Sequence, residues 1–179
     1  MNYKKLEQNI IDMLEEQQIK LGFLRETVRL YYPLSSLNHY CEVPCNAKQM
    51  EDALHEFATF TSDRLGTLEI SHKKDRFCIG ISPDGAQYVH DHMEDTSFLK
   101  SFIDMISQHD CRIEQLIELF EASGERVRIF HLDEEDFDYM LCFENGIPDT
   151  YRYCIKSEGC HLTYHRFTPE DYRDLGFQT

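Results

Sequence analysis

After Gly124 the chain alternates apolar and polar residues in four successive runs: "RVRIFHL", "FDYMLCFE", "TYRYCIK" and "CHLTYHRF". A period of two is that of a strand with one face buried, and a helix, whose like faces recur every three to four residues, cannot satisfy it. The connections "DEED", "NGIPD" and "SEG" are short and rich in turn-forming residues, so successive strands are expected to pair antiparallel. Thr168 then stands as the N-cap of a short helix, "PEDYRDL", with Glu170 and Asp171 in the first turn, where acids suit the helix dipole.

Upstream of Gly124 the pattern is mostly helical. Residues 3–20 read as an amphipathic helix, with Tyr3, Leu6, Ile10, Met13 and Leu14 on one face and Glu and Gln on the other. That helix offers a surface for a dimer. "LRETVRLYY" reads as a second helical piece stopped at Pro33, and "LSSLNHYC" as a third. Asn46 caps "AKQMEDALHEFATFTSDRL", in which Met50, Leu54, Phe57 and Phe60 keep the helical period until Gly66. "TLEI" and "RFCIGI" form two strands about the charged turn "SHKKD". Ser82 and Pro83 open the next helix as N-cap and first helical residue. A helical pair follows at about 96–108 and 112–122, marked by Phe98, Phe102, Ile103 and Ile106, then by Ile113, Leu116, Ile117 and Phe120. The expected fold is α+β: a helical unit with a hairpin over residues 1–94, then a helical pair and a four-stranded antiparallel meander over residues 95–179.

Charge narrows the partners. The chain carries 18 basic and 33 acidic residues, a net charge of −15. Residues 1–94 hold 10 basic and 15 acidic residues, and residues 95–179 hold 8 and 18, so the excess acidity lies in the second half. Such a surface repels nucleic acid and anionic membranes, and suits a basic protein or a cationic ligand. The first residues, "MNYKKLEQNIIDMLEEQQ", lack the apolar core of a signal peptide, and no run approaches the length of a membrane span. Seven cysteines, an odd number, fit a reduced, cytoplasmic protein better than a disulfide framework.

Two phrases, "LGTLEI" and "RFCIGISPDGAQYV", carry a resemblance to winged-helix domains over residues 23–94. The first resembles the exit from a recognition helix into the wing. The second resembles the returning wing strand and the capped helix after it, with Ser82, Pro83, Asp84, Gly85, Tyr88 and Val89 at the recurring positions. The whole chain also looks similar to a small family of uncharacterised proteins from Firmicutes. The winged-helix resemblance implies DNA contacts from Asn46, Lys48 and Gln49, at the start of the helix in the recognition position. It implies further contacts from Lys73, Lys74 and Arg76 in the wing. That helix departs from the pattern, since Lys48 and Arg64 face Glu51, Asp52, Glu56 and Asp63, whereas a recognition helix must approach phosphates.

Candidate chemistry is sparse. In "GISPDGAQYVHDHMED", residues 80–95, His90 and His92 are two apart and diverge by about 200° on a helix. This stretch reads as a solvated helical face. "DEEDFD", residues 133–138, holds five acids in six residues but has neither the spacing nor the glycine of a calcium loop. It reads as a charged hairpin turn. His161 and His165 share one side of a strand and are weak candidates for metal ligands, with "CEVPC" as a conceivable complement. "IPDTYRYCIK" lacks the second carboxylate of a metal-nuclease pattern, because Cys154 stands there, and "GISPDG" lacks the lysine of a phosphate loop. The expectation is a non-enzymatic, cofactor-free interaction module whose acidic residues Asp133, Glu134, Glu135, Asp136 and Asp138 meet a basic partner. The alternatives are a DNA-binding regulator using Asn46, Lys48, Gln49, Lys73, Lys74 and Arg76, and a metal-dependent hydrolase built around His161 and His165.

Overall fold

A computed structural model describes residues 2–94, 97–123, 126–132 and 134–177. Its contacts divide the chain into two units, residues 1–94 and 95–179. The described residues form seven helices, a three-stranded sheet and a four-stranded sheet, a mixed α+β architecture that begins with a helix. No helix among them is long and apolar enough to cross a membrane.

The first unit runs α1 (Tyr3–Leu21), β1 (Val28–Pro33), α2 (Leu34–Cys41), α3 (Ala47–Phe60), β2 (Leu68–Lys73), β3 (Arg76–Ile81) and α4 (Pro83–His92). Its sheet is antiparallel in the order β1-β3-β2, with Ile79 opposite both Leu30 and Ile70. Leu6, Ile10 and Leu14 of α1, Leu37 of α2, Met50, Leu54 and Phe57 of α3, and Phe77, Ile79 and Ile81 of β3 are fully buried in one core. The stripe of α1 is thus spent inside the unit.

The structure differs from expectation at two places in this unit. The segment expected as a second helix contains β1 instead. Its run "VRLYYP" is β-branched and aromatic, and it buries Leu30 and Tyr32 while exposing Arg29 and Tyr31. Pairing with β3 along the whole run overrides the weak helical pattern. On α1, Met13 lies at the rim, 41% exposed, while the polar residues Glu7, Asn9 and Gln18 are buried. Each of the three has a partner. Glu7 pairs with Arg64 at 2.6 Å, Asn9 accepts from the Tyr32 hydroxyl at 2.8 Å, and Gln18 donates to the Ala86 carbonyl at 2.9 Å. The Asn9 and Gln18 bonds tie α1 to β1 and α4, which offsets part of the cost of burying these groups.

The second unit runs α5 (Phe98–Ile106), α6 (Ile113–Ala122), β4 (Val127–His131), β5 (Tyr139–Phe143), β6 (Arg152–Glu158), β7 (His161–Phe167) and α7 (Pro169–Asp174). The strands form an antiparallel meander in chain order. One face of the sheet meets an aromatic cluster. Phe98 lies 4.8 Å from both Phe120 and Phe143, and Phe102 lies 4.6 Å from Tyr153 and 4.9 Å from Tyr164. The opposite face carries Met140, Cys142 and Cys154, packed with Phe137 and with Tyr172 of α7.

The junction of β3 and α4 is closely packed. The Ser82 hydroxyl accepts from the Gly85 amide, and Pro83 fills the first turn. A Cβ at Gly85 would stand 2.2 Å from the Leu65 carbonyl oxygen and 2.7 Å from Ile81 Cγ2, so only glycine lets α4 start against that carbonyl. Ser82→Ala should cost about 1 kcal/mol, the usual loss of an N-cap. Gly85→Ala should cost more, on the order of 2 kcal/mol or above, because backbone must move. Urea melts of the two variants check this, and equal stabilities would contradict the packing described.

Candidate functional site

The acidic turn joins β4 to β5. Asp133 lies outside the described residues. Glu134, Glu135 and Asp136 are exposed and form no ion pair among the described residues. Phe137, next in the chain, is buried at 8% exposure and anchors the turn. Asp138 points inward and fastens the turn to β6, where its carboxylate accepts from the Ser157 amide at 2.7 Å and from Lys156 Nζ at 3.1 Å. The backbone hydrogen bond, with the lysine behind it, lowers the Asp138 pKa. The turn is therefore pinned at Phe137 and Asp138, and three carboxylates stand on its outer side.

In the first unit, Asn46 and Gln49 are committed to each other. The Asn46 side chain accepts from the Gln49 amide, and the Gln49 side chain accepts from the Asn46 amide, both at 3.0 Å. This reciprocal capping box uses both side-chain oxygens. Lys48 is exposed beside them, and farther along α3 the exposed positions are Asp52, His55, Glu56, Thr59 and Phe60. Glu56 accepts from the Tyr3 hydroxyl at 2.9 Å. The hairpin between β2 and β3 turns through Lys74 and Asp75, with Lys74 at φ 56° and Lys73 opposite Arg76. Lys73, Lys74 and Arg76 are exposed and have no carboxylate within 4.0 Å among the described residues. His72 stacks on Phe77 and lies 3.6 Å from Glu51, which draws the turn end of the hairpin to α3.

The histidines are dispersed. His161 and His165 lie on one side of β7 but serve different neighbours: His161 stacks on His109 at 5.3 Å, and His165 meets the edge of Phe137 at 5.7 Å. His90 stacks on Phe23 at 4.4 Å and His92 on Tyr88 at 4.1 Å. Among the described residues, no group of three or more His, Cys, Asp or Glu side chains is placed to hold a metal ion. Asp149, of "IPDTYRYCIK", is taken up by Arg166 and Tyr153. All seven cysteines are free thiols, and burial pushes Cys154 up to about 12 and Cys41 up to about 11, which leaves both as poor nucleophiles.

One constellation carries no motif. Arg128 of β4, Arg152 of β6 and Arg173 of α7 line a cavity of about 350 Å³ on the outer sheet face. Period-two alternation in "RVRIFHL" and "TYRYCIK" places the first two arginines opposite the core-facing residues of their strands. Only the pairing of both β4 and β6 with β5, and the return of α7, brings all three arginines together.

A family model described as "Domain of unknown function, E. rectale Gene description" (DUF3877) matches residues 3–176. No curated protein and no solved structure matches the chain.

The lowered pKa of Asp138 sets a pH dependence. A carboxyl whose folded pKa lies below its ordinary value of 3.8 stabilises the fold fully above that value, and the contribution disappears as pH falls through the folded pKa. Asp138→Asn should therefore melt below the wild type at neutral pH, with the gap closing below pH 3.8. Thermal melts across that range check it, and a gap that does not change with pH would assign the effect to packing alone.

Proposed function

We propose that this chain, which belongs to the DUF3877 family, is a non-enzymatic interaction module built on a winged-helix scaffold, with an acidic surface for a basic partner. The scaffold reading is supported by the order helix, strand, helix, helix, strand, strand, helix and by the sheet order β1-β3-β2, with the β2–β3 hairpin as the wing. A fold does not bring its usual ligand with it.

The observation that carries the reading is the outer face of α3. In the position of a recognition helix it exposes Asp52 and Glu56, and the side-chain oxygens of Asn46 and Gln49 at its N-terminus are taken up by each other's backbone amides in the capping box. Approach to a phosphate backbone would bring these carboxylates against like charge. Glu134, Glu135 and Asp136, held outward on a pinned turn, suit the opposite partner, a basic protein segment. A cytoplasmic setting belongs to the same reading, because seven free thiols suit a reducing compartment.

A second reading, a DNA-binding regulator, is favoured by one observation: Lys73, Lys74 and Arg76 are exposed at the hairpin tip with no neutralising carboxylate among the described residues. Each phosphate contact adds about 0.9 to the log–log salt slope, so one wing supplies a slope of about −3 at most. A gel shift against a random-sequence duplex library separates the two. In about 0.15 M salt, the physiological ionic strength, the wild type should retard no duplex at nanomolar concentration. Enrichment of a duplex that binds there, lost on Lys73→Ala/Lys74→Ala/Arg76→Ala, would replace the interaction-module reading with the regulator.

A further inference from the structure

We propose that the cavity between the outer sheet face and α7 in the second unit binds a small organic anion, a phosphate or carboxylate group carried on an apolar or aromatic body. No described residue of the acidic turn lines the site, although Glu134 is near enough to add to the rise in the Tyr172 pKa, and the site does not depend on the identity of any protein partner.

Strand register builds the floor. Arg128 lies opposite Cys142, and the β5–β6 register, with Met140 opposite Cys154 and Leu141 opposite Tyr153, runs on to bring Arg152 to the other side of Cys142. Two guanidinium groups thus flank one buried thiol in a single row across the sheet. Arg173 comes from α7 to the same cavity. Among the described residues, only one of these three charges is neutralised by a carboxylate in contact. Arg128 bonds Glu144 at 2.6 Å, whereas Arg152 makes one bond to the Thr150 carbonyl at 3.2 Å. Arg173 has no carboxylate within 4.0 Å among the described residues. In a chain with 33 acidic and 18 basic residues, three arginines gathered about a single carboxylate run against the composition. A guanidinium fork matches the paired oxygens of a carboxylate or phosphate.

Tyr172 provides an independent observation. It lines the cavity and is 6% exposed, and its hydroxyl is buried with no hydrogen-bond partner among the described residues. A buried hydroxyl without a partner is costly and calls for an acceptor. Burial pushes its pKa up to about 12, so the group keeps its proton and can donate. The acceptor that three arginines would bring within reach is an anionic oxygen. Phe130, Met140 and Phe177 also line the cavity and offer an apolar surface for the rest of the ligand, and the one carboxylate in the lining, Glu144, is held by Arg128. A volume of about 350 Å³ sits at the small end of ligand sites. Cys142 lies at the floor, but burial raises its pKa, so the site is one for binding rather than thiol chemistry.

Isothermal titration of the full chain with phenyl phosphate, benzoate and inorganic phosphate tests the proposal. At least one aromatic probe should bind about tenfold or more tighter than inorganic phosphate, and whichever wins names the head group. Arg173→Ala and Tyr172→Phe should each weaken that probe by about tenfold, the effect of one lost hydrogen bond to a charged group. Both variants should keep the wild-type melting temperature to within a few degrees, since Arg173 is exposed and phenylalanine keeps the ring contact with Phe177. The proposal is overturned if neither aromatic probe binds at millimolar concentration. It is equally overturned if inorganic phosphate binds as well as they do, or if folded variants bind as the wild type does.

Discussion

The Asp149 carboxylate holds the second unit in register. It accepts from the Tyr153 hydroxyl at 2.5 Å, from Arg166 Nη2 at 3.2 Å and from the Tyr151 amide at 2.7 Å. The Arg166 guanidinium also lies 4.1 Å from the Tyr151 ring centre. The two charged side chains are only 5% and 10% exposed. Removing one partner of such a pair strands a buried charge and costs about 3–5 kcal/mol. Tyr153, fully buried at the centre of the aromatic cluster, is held by this bond at one fixed place on β6. A slip of one residue would turn Tyr153 outward and drive Arg152 into the core. The interaction that secures the core face therefore also determines that Arg152 and Cys154 face the other way, and with them the composition of the cavity under α7.

The acidity of the chain divides into two uses. Asp138, Asp149, Glu7 and Glu144 each hold a cation or an amide and work as fasteners. Glu134, Glu135 and Asp136 have no ion pair among the described residues, and they form the surface that the proposed partner would meet. Fasteners of this kind do not contribute to a docking surface, which is why net charge alone overstates how much of it faces outward.

Much of the local structure was legible in the sequence. The caps at Asn46, Ser82 and Thr168, the hairpin of β2 and β3 and the four period-two strands depend on residues within a few positions of one another. β1 was not legible, because "VRLYY" becomes a strand only by pairing with Phe77 to Ile81, nearly fifty residues away. Burial of Glu7, Asn9 and Gln18 on α1 was hidden for the same reason, since each takes a partner from a distant element. The arginine cavity was the least legible feature. Arg128 and Arg152 follow from strand alternation, but nothing near Arg173 or Tyr172 says that α7 returns over them. The acidic run, by contrast, stood out in the sequence, while the inward role of Asp138 needed the Ser157 amide to reveal it.

The central functional claim is that outward carboxylates on the β4–β5 turn receive a basic protein segment. It is tested most directly by following backbone amide resonances of the full chain during titration with a lysine-rich peptide. The account predicts salt-sensitive shifts centred on Glu134 to Asp136, with α3 and the β2–β3 hairpin unmoved. Shifts centred on another surface, or none at millimolar peptide in low salt, would contradict it.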